Sequence, residues 1–317
     1  MTGILILNYN NTIDLKRCID SIFKQIPLEE VKIVVVDNGS SNAISDDVED
    51  YLVQKVEYES FLILDGVPDE ETRLPLLSYL KLSCNVGYAR GNNAGLLLLS
   101  KDPSIINVMI INSDIVLTED IVTPQLELLS SLNNVGAVSP LLLHPNGEID
   151  YSCARTSLNK DSLLSFSLVR RKQYMSLLHK SLILYNAPSL LKQDRVAIDL
   201  PSGSCMMLKM QVMKEIGGFD DNTFLYYEEN ILYKRLQAKG YINYILPKIS
   251  CIHVGGATTR TARTSYFLKK CNYKSLLYYL QTYEQCSYFE MIILRLSAFI
   301  ILCRLWLGAY FRRNFNK

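Results

Sequence analysis

Ile105-Ile-Asn-Val-Met-Ile-Ile-Asn-Ser-Asp114 is the stretch of this 317-residue chain that indicates its fold class most clearly. Six of its first seven residues are apolar, and a short, almost unbroken apolar run is typical of a strand buried on both faces of a parallel sheet. Polar residues then follow, at the carboxyl end of the strand, where open α/β sheets bind their ligands. A carboxylate there can hold a divalent cation together with substrate phosphates. The alternative is plain turn chemistry, because Asn, Ser and Asp all favour turns and helix caps.

A strand–helix–strand unit is predicted at the start of the chain. Residues 3–7 and 31–36 form short apolar runs, and residues 15–26 carry apolar side chains at helical spacing. This order favours a parallel sheet in an α/β fold. The second strand ends on Asp37, and an acid at such a tip often binds the sugar or base of a nucleotide. The alternative is a simple Asp-Asn-Gly turn that needs no ligand.

Composition excludes several classes of function. No G-x-G-x-x-G follows the first strand and no Walker lysine motif occurs, which argues against a nicotinamide enzyme. A net charge of +1 gives no basic field for nucleic acid. The eight cysteines include no C-x-x-C pair, and the first residues lack the basic start of a signal peptide. Reduced thiols and a cytoplasmic protein are therefore expected.

A glycine-rich helix is predicted after residue 85. Gly87, Gly91 and Gly95 fall four residues apart, so they share one helix face and permit close backbone approach. Amide groups near Gly87 could face a diphosphate, with Arg90 adding positive charge. Tight packing of the helix on the sheet is the alternative, and the two interpretations are compatible.

Three further polar motifs occur in the second half of the chain. A Pro-Ser-Gly-Ser corner at 201–204 leads into an apolar strand, and Glu228 and Glu229 open a helix directly after Tyr227. A carboxylate beside aromatic side chains suits a general base, although acids at a helix start also serve as dipole partners. His253 ends a strand before two glycines, where it is either a metal ligand or a structural residue.

Two segments are predicted to lie outside the central sheet. Residues 146–192 have a weak pattern and are interpreted as a mobile or membrane-facing excursion. Residues 266–317 are helical, and Met291–Tyr310 has about the length of a membrane span. Arg295 and Arg304 interrupt it on opposite faces, which favours an interfacial helix over a spanning one. The basic residues expected near anionic lipid are Arg304, Arg312, Arg313 and Lys317. The alternative is a helix docked on its own domain or on a dimer partner.

The order of these motifs is more specific than any one of them. The motifs are Asp37, the glycine helix at 85–93, Asn112-Ser113-Asp114, Gly217-Gly-Phe-Asp220, Tyr226-Tyr-Glu-Glu229 and His253. Over about residues 3–260, the chain resembles family-2 glycosyltransferases of the GT-A fold, especially the rhamnosyltransferase-like branch of bacterial surface polysaccharide synthesis. The resemblance implies a mostly parallel central sheet flanked by helices. We expect this domain at 1–260 and a helical extension at 261–317.

The resemblance also implies roles for individual residues. Asp114 and His253 would bind Mg²⁺ or Mn²⁺, and Glu229 would be the catalytic base, or Glu228 if the alignment of the pair is off by one. The expected donor contacts are Tyr9, Asn10, Asp37, Gly87, Arg90, Asn112 and Asp114. The expected acceptor contacts are Gly203, Ser204 and Tyr227. The chain departs from the family twice, because the base is usually Asp and the acid expected two positions later is Ile231.

The expected activity is metal-dependent transfer of a sugar with inversion, since one base supports a single displacement and no residue is marked as a nucleophile on the opposite face. The first guess for the donor is dTDP-rhamnose, followed by a UDP-hexose. The expected acceptor is a lipid-linked glycan of capsule or O-antigen at the inner face of the plasma membrane. A sugar-1-phosphate nucleotidyltransferase and a non-catalytic scaffold of the same fold are the alternatives. The first would place a glycine-rich signature with Arg and Lys after the first strand, where this chain has Asn8-Tyr-Asn-Asn11.

Overall fold

The computed structural model describes residues 1–158, 160–163, 179–255 and 262–315, without the side chains of residues 58, 262–265, 305 and 307–315. The strands are β1 Thr2–Asn8, β2 Val31–Asp37, β3 Phe61–Leu64, β4 Leu77–Lys81, β5 Asn107–Asn112, β6 Ile115–Leu117, β7 Val135–Leu143, β8 Ala154–Arg155, β9 Val196–Ile198, β10 Leu200–Pro201, β11 Cys205–Lys209 and β12 Ile242–His253. The helices are α1 Thr12–Gln25, α2 Asn42–Val53, α3 Tyr88–Leu99, α4 Val122–Ser131, α5 Ile183–Asn186, α6 Met210–Glu215, α7 Glu228–Ala238, α8 Ala262–Thr282 and α9 Tyr288–Phe315.

A ten-stranded sheet organises the described residues. Its order is β3-β4-β2-β1-β5-β11-β7-β12-β6, and β9 pairs with β12. The five strands from β3 to β5 are parallel, as the apolar runs predicted for β1, β2 and β5. Their carboxyl ends therefore lie at one edge, where Asn8 is opposite Asp37 and Leu7 is opposite Asn112.

The reversal of strand direction after β5 brings distant residues to the same edge. Strand β11 runs antiparallel to β5 and begins there, with Cys205 opposite Ile111. Strand β12 is parallel to β7 and ends beside β6, with His253 opposite Ile115. The residues that precede β11 and those that end β12 thus meet the polar residues that follow β5.

Helix α3 lies close to β1 because two of its glycines face that strand. A Cβ added at Gly91 would meet Leu7 at 2.6 Å, and one at Gly95 would clash more severely with Leu5. Tight packing therefore accounts for these two glycines. Gly87 differs, because it precedes the helix with a φ of +90°, which L side chains rarely adopt.

Apolar clusters cover both faces of the sheet, and a third joins the C-terminal helices to α7. The third cluster is Leu163, Ile231, Leu276, Tyr279, Leu280, Met291 and Leu294. One face of the α8–α9 pair therefore packs on the rest of its own chain. This matches the alternative of a helix docked on its own domain, rather than a helix that contacts only the membrane surface. Within the described residues, no helix has the length and apolarity that crossing a bilayer requires. The predicted lipid contacts of Arg312, Arg313 and Lys317 lie outside the described side chains.

The segment 146–192 was interpreted as an excursion away from the central sheet. Its strand β8 does pair with β10 in a separate two-stranded sheet. Its first part returns to the sheet edge, because Asp150 and Arg155 lie close to the predicted site residues His253 and Glu229; that the segment is mobile or membrane-facing stays a prediction. Residues 159 and 164–178 lie outside the described chain.

Candidate active site

The carboxyl ends of β5 and β12 and the start of β11 form one half of the candidate site. The Asn112 amide donates to the carbonyl oxygen of Ser204 at 2.9 Å, and its side chain donates to Ser204 Oγ at 3.4 Å. The amide of Val254 donates to the Asp114 carbonyl oxygen at 2.9 Å. These backbone contacts bring His253 beside Asp114, as the motif order predicted.

Asp114 and His253 form the candidate metal centre. His253 Nε2 lies 3.5 Å from Asp114 Oδ2, and Asp114 Oδ1 is buried without a hydrogen-bond partner. Such an orphaned oxygen fits a cation ligand. The described residues contain no group of three or more His, Cys, Asp or Glu side chains that could hold a metal. A centre of two protein ligands suits a cation whose remaining ligands come from substrate phosphates and water.

Asp150 lies on the far side of the His253 ring. Its Oδ2 atom is 3.6 Å from His253 Nδ1. Hydrogen bonds to Asp114 and then to Asp150 raise the pKa of His253 to about 9, although burial opposes the shift. Burial acts to raise the pKa of Asp150, but hydrogen bonds from His253 and Ser152 outweigh it and lower that pKa to about 2. A metal-binding histidine commonly has a carboxylate partner of this kind on its second nitrogen.

The start of α7 forms the other half of the site. Glu229 Oε1 accepts a hydrogen bond from the Gly203 amide at 3.1 Å, and Glu229 Oε2 lies 3.7 Å from Arg155 Nη2. The Glu229 side chain is 25% exposed to solvent. Glu229 is therefore held in one orientation while remaining accessible to a substrate hydroxyl.

Glu228 has a different environment from its neighbour. It is only 7% exposed, and its Oε1 atom has no hydrogen-bond partner. Burial, and then the charge of Glu229, raise the pKa of Glu228 to about 8. Of the two glutamates, only Glu229 has both an orienting hydrogen bond and substantial exposure.

The corner at Gly203 and Ser204 joins the two halves. Tyr88 donates its hydroxyl to the Gly203 carbonyl oxygen at 2.6 Å, and Ser204 Oγ lies 3.5 Å from His253 Nε2. A Cβ added at Gly203 would lie 3.1 Å from both Glu229 Oε1 and the Tyr88 hydroxyl oxygen. Gly203 thus allows the backbone to approach the candidate base closely.

The predicted nucleotide contacts lie at the ends of β1 and β2. Asp37 is 2% exposed and accepts hydrogen bonds from the Ser40 amide at 3.0 Å and the Tyr79 hydroxyl at 3.1 Å. Asn10 Oδ1 accepts from the Ser41 amide at 2.9 Å, and Tyr9 is 39% exposed. The Asp37 carboxylate is therefore tied to its own loop, and its contact with a nucleotide stays a prediction.

Gly87 and Arg90 contact the segment before α7. The Gly87 amide donates to Asn85 Oδ1 at 3.0 Å, and a Cβ at Gly87 would collide with the Phe224 carbonyl oxygen. Arg90 Nε donates to the Asp221 carbonyl oxygen at 3.1 Å. These bonds orient the start of α3 toward residues 219–227, and the predicted diphosphate contact of both residues stays a prediction.

Three residues of the site were absent from the sequence prediction. Asp150 and Arg155 lie in the segment of weak pattern, where no local signal marks them as site residues. Tyr88 opens the glycine helix, and its aromatic ring beside glycines was the one available signal. All three reach the site through contacts between distant parts of the chain.

Comparison with known proteins places the chain in a family. The model for glycosyl transferase family 2 matches residues 3–217. N-acetylglucosaminyl-diphospho-decaprenol L-rhamnosyltransferase of Mycobacterium tuberculosis is 25% identical over 202 residues, which are 60% of this chain and 62% of that protein. The low-salt glycan biosynthesis hexosyltransferase Agl10 of Haloferax volcanii is 22% identical over 210 residues, 65% of this chain and 61% of that protein. The chain thus spans less than two thirds of these relatives.

Solved structures show the same fold. GalNAc-T7, solved with UDP, GalNAc and Mn²⁺, superposes with a TM-score of 0.55 at 13% identity, over 80% of this chain and 44% of that one. The mannosyltransferase PcManGT from Pyrobaculum calidifontis, solved with GDP-Man and Mn²⁺, gives 0.54 at 14% identity, over 99% and 81%. The predicted GT-A fold is confirmed by these likenesses. Since the family model covers more than half of the chain, the protein belongs to glycosyl transferase family 2.

Proposed function

We propose that this protein is a metal-dependent, inverting glycosyltransferase that uses a nucleoside-diphosphate sugar. The observation that carries the proposal is the pair of groups on either side of the Gly203–Ser204 corner. A carboxylate with an orphaned buried oxygen, Asp114, lies beside His253, and an accessible, oriented carboxylate, Glu229, lies on the other side. Leaving-group neutralisation and proton removal require these two kinds of group.

Asp114 and His253 would hold a divalent cation, which neutralises the developing charge on a diphosphate leaving group. Glu229 accepts the proton of the acceptor hydroxyl as that oxygen attacks the anomeric carbon. The Gly203 amide fixes Glu229 Oε1, and the Arg155 guanidinium lies beside Oε2. The C1–oxygen bond to the acceptor forms as the bond to the diphosphate breaks. A single displacement of this kind inverts the anomeric centre.

The proposed donor is dTDP-rhamnose, with a UDP-hexose as the alternative. The support is the likeness to the mycobacterial rhamnosyltransferase. The name of that relative also gives its substrate, a sugar joined through a diphosphate to the lipid decaprenol. We propose a lipid-linked glycan as the acceptor, in capsule or O-antigen synthesis. The donor contacts would come from the ends of β1, β2 and β5, and the acceptor contacts from Gly203, Ser204 and Tyr227.

A lipid-linked acceptor requires access to a bilayer, and α9 offers a surface for it. Five exposed apolar side chains recur at spacings of one, three or four residues along one face: Phe289, Ile292, Leu296, Phe299 and Ile300. We call them the α9 apolar face. We propose that this face rests on the inner surface of the plasma membrane and that residues 261–317 act as an extension of the catalytic domain at 1–260. A second copy of the chain is the alternative occupant.

A donor panel tests the proposed function. Purified protein is screened by thermal shift with dTDP-rhamnose, UDP-hexoses and GDP-mannose, with and without Mn²⁺, and the stabilising donor is then assayed for turnover. We expect metal-dependent stabilisation and sugar transfer. Asp114→Ala should abolish both while the protein still unfolds cooperatively. Metal-independent transfer would contradict the metal role, pyrophosphate-dependent nucleotide synthesis would indicate a nucleotidyltransferase, and no turnover with any donor would support a scaffold.

A further inference from the structure

The C-terminal helices pack directly on the helix that carries the candidate base. Ile231 of α7 is 1% exposed and belongs to one apolar cluster with Tyr279 of α8 and Leu294 of α9. It lies two residues after Glu229, at the position where the family usually has an acid. The cover formed by α8 and α9 explains why an apolar residue is found there, since an unpaired charge would be buried in the cluster.

The turn before α7 has a strained backbone. Tyr226 and Tyr227 have φ values of +75° and +71°, which non-glycine residues adopt only when the surroundings hold them there. The Tyr227 ring stacks on Tyr279 with centroids 5.5 Å apart and planes at 30°. Tyr279 is fully buried, and its hydroxyl donates to Glu284 Oε1 at 2.6 Å. Helix α8 therefore supplies a contact that helps to keep Tyr227 in place.

Side-chain hydrogen bonds also tie the same segment to α8. Ser275 Oγ donates to the Leu225 carbonyl oxygen at 2.8 Å. The buried Asp220 carboxylate accepts from the Tyr278 hydroxyl of α8 at 2.9 Å, and it also pairs with Arg235 of α7 at 3.0 Å. The residues from 220 to 227 are thus held at both ends, directly upstream of the two glutamates.

We propose that the C-terminal helix pair contributes to the active site. Tyr279 is a positioning residue that acts through Tyr227 on the Glu229 carboxylate. The proposal rests on the proposed function of Glu229. The metal half of the site comes from β5 and β12, which do not carry these contacts. Loss of the Tyr279 ring should therefore disturb the base and the acceptor side while leaving the Asp114–His253 pair intact.

The test compares Tyr279→Leu with Tyr279→Phe, which keeps the stacked ring and loses only the hydroxyl. Leu52→Ala is the control, because Leu52 is fully buried in α2 and contacts neither α7 nor α8 in the clusters described. We expect Tyr279→Leu to lower kcat by about 10- to 100-fold, the scale of a misplaced catalytic group, while Mn²⁺ still adds to the thermal stabilisation by the donor. Tyr279→Phe should stay within about threefold of wild type. Leu52→Ala should lose thermal stability but keep its kcat below its melting transition.

Amide hydrogen exchange gives a readout that does not depend on turnover. In Tyr279→Leu, residues 223–231 should exchange at least about 10-fold faster, while β5 is unchanged; Leu52→Ala should not show this pattern. The proposal would be overturned if exchange at residues 223–231 were unchanged in Tyr279→Leu. It would also be overturned if Tyr279→Leu had the wild-type kcat while Glu229→Gln was inactive. If wild-type protein transfers no sugar, the proposed function fails, and exchange still decides whether Tyr279 holds the turn.

Two further variants test the proposal without relying on the single substitution Tyr279→Leu, which could prevent folding. Ser275→Ala removes only the hydrogen bond to Leu225 and should give the same pattern at smaller size. In a Tyr227→Leu background, Tyr279→Leu should add little further loss of kcat, because its effect is transmitted through the Tyr227 ring. Full additivity of the two losses would contradict that route.

Discussion

Two adjacent carboxylates at the start of α7 have opposite environments. Glu229 is oriented by the Gly203 amide and is accessible, whereas Glu228 is buried with an unpaired oxygen. Differences of this kind determine which of two neighbouring acids acts as the base. The structure therefore favours Glu229, the residue that the family resemblance implied.

Glu229→Gln keeps the size of the side chain but cannot accept a proton. We expect sugar transfer to fall by about 10²–10⁴-fold, while the donor still binds in the thermal-shift assay. Glu229→Asp restores the usual family residue with the carboxylate drawn back by one methylene, and it should retain measurable initial rates. If Glu228→Gln is the inactive variant and Glu229→Gln transfers normally, the base is Glu228.

Glu228 should make stability depend on pH. Burial, and then the charge of Glu229, raise its pKa from an ordinary 4.5 to about 8. Between pH 4.5 and about 8, the folded protein holds a proton on Glu228 that the unfolded chain has lost. The stability that this proton contributes is therefore fully present below pH 4.5 and is lost as pH rises through about 8. Glu228→Gln should therefore be more stable relative to wild type at pH 9 than at pH 5. Urea unfolding at both pH values measures this, and an equal difference at the two would show that Glu228 does not titrate in this way.

At the scale of elements, the junction between α3 and residues 219–227 depends on Gly87. Gly147 provides a control, because it also has a positive φ, +83°, but an added Cβ there would meet nothing within 4 Å. Gly147→Ala should lose about 1–3 kcal/mol of unfolding free energy from backbone strain. Gly87→Ala should lose more, since its Cβ also collides with the Phe224 carbonyl oxygen. Equal losses in urea unfolding would mean that this junction adjusts freely.

The packing of α7 against the C-terminal helices makes Ile231 intolerant of charge. Ile231→Asp restores the family's acid but places a carboxylate in the apolar cluster. We expect loss of several kcal/mol of stability, because the carboxylate would be buried among apolar side chains, whereas Ile231→Val should cost about 0.5–1.5 kcal/mol. Calorimetric melting of the two variants tests this. A stable Ile231→Asp would show that α8 and α9 do not cover this position.

At the scale of the whole molecule, the C-terminal pair has two different faces. Its inner face packs on α7, and its outer face is the α9 apolar face. Deletion of residues 291–317 is therefore an ambiguous test of membrane attachment, because it also removes Met291 and Leu294 from the buried cluster. Substitutions confined to the outer face separate the two roles.

Leu296→Ser with Phe299→Ser should weaken binding to anionic vesicles without lowering stability, since the two side chains are 58% and 66% exposed. Ile13→Ser is the matched control, because Ile13 is 68% exposed on α1 and does not belong to the α9 apolar face. Co-sedimentation at low and high salt measures the effect. Wild-type protein that stays in the supernatant at low salt, or that dimerises through this face, would contradict membrane attachment.

The predictable and unpredictable parts of the site differ in the range of their contacts. Strands β1, β2 and β5 were predicted because continuous apolar runs and β-branched residues are local signals, and Asp114 followed from its place after β5. The family resemblance added the roles of His253 and Glu229. Asp150 and Arg155 were missed, because nothing in the residues around them shows that the chain returns to the sheet edge.

Apolar patterning and the order of short motifs were enough to predict strands β1, β2 and β5, the polar edge at their carboxyl ends and the family of the chain. Three contacts are evident only in the folded chain: Asp150 flanks His253, Arg155 lies beside Glu229, and Ile231 packs beneath the C-terminal helices. Burial and partner charges distinguish Glu228 from Glu229, although the two are adjacent and chemically identical in the sequence. The physical reason is that solvent access and electrostatic environment arise from segments far apart in the chain, which come together only in the folded protein.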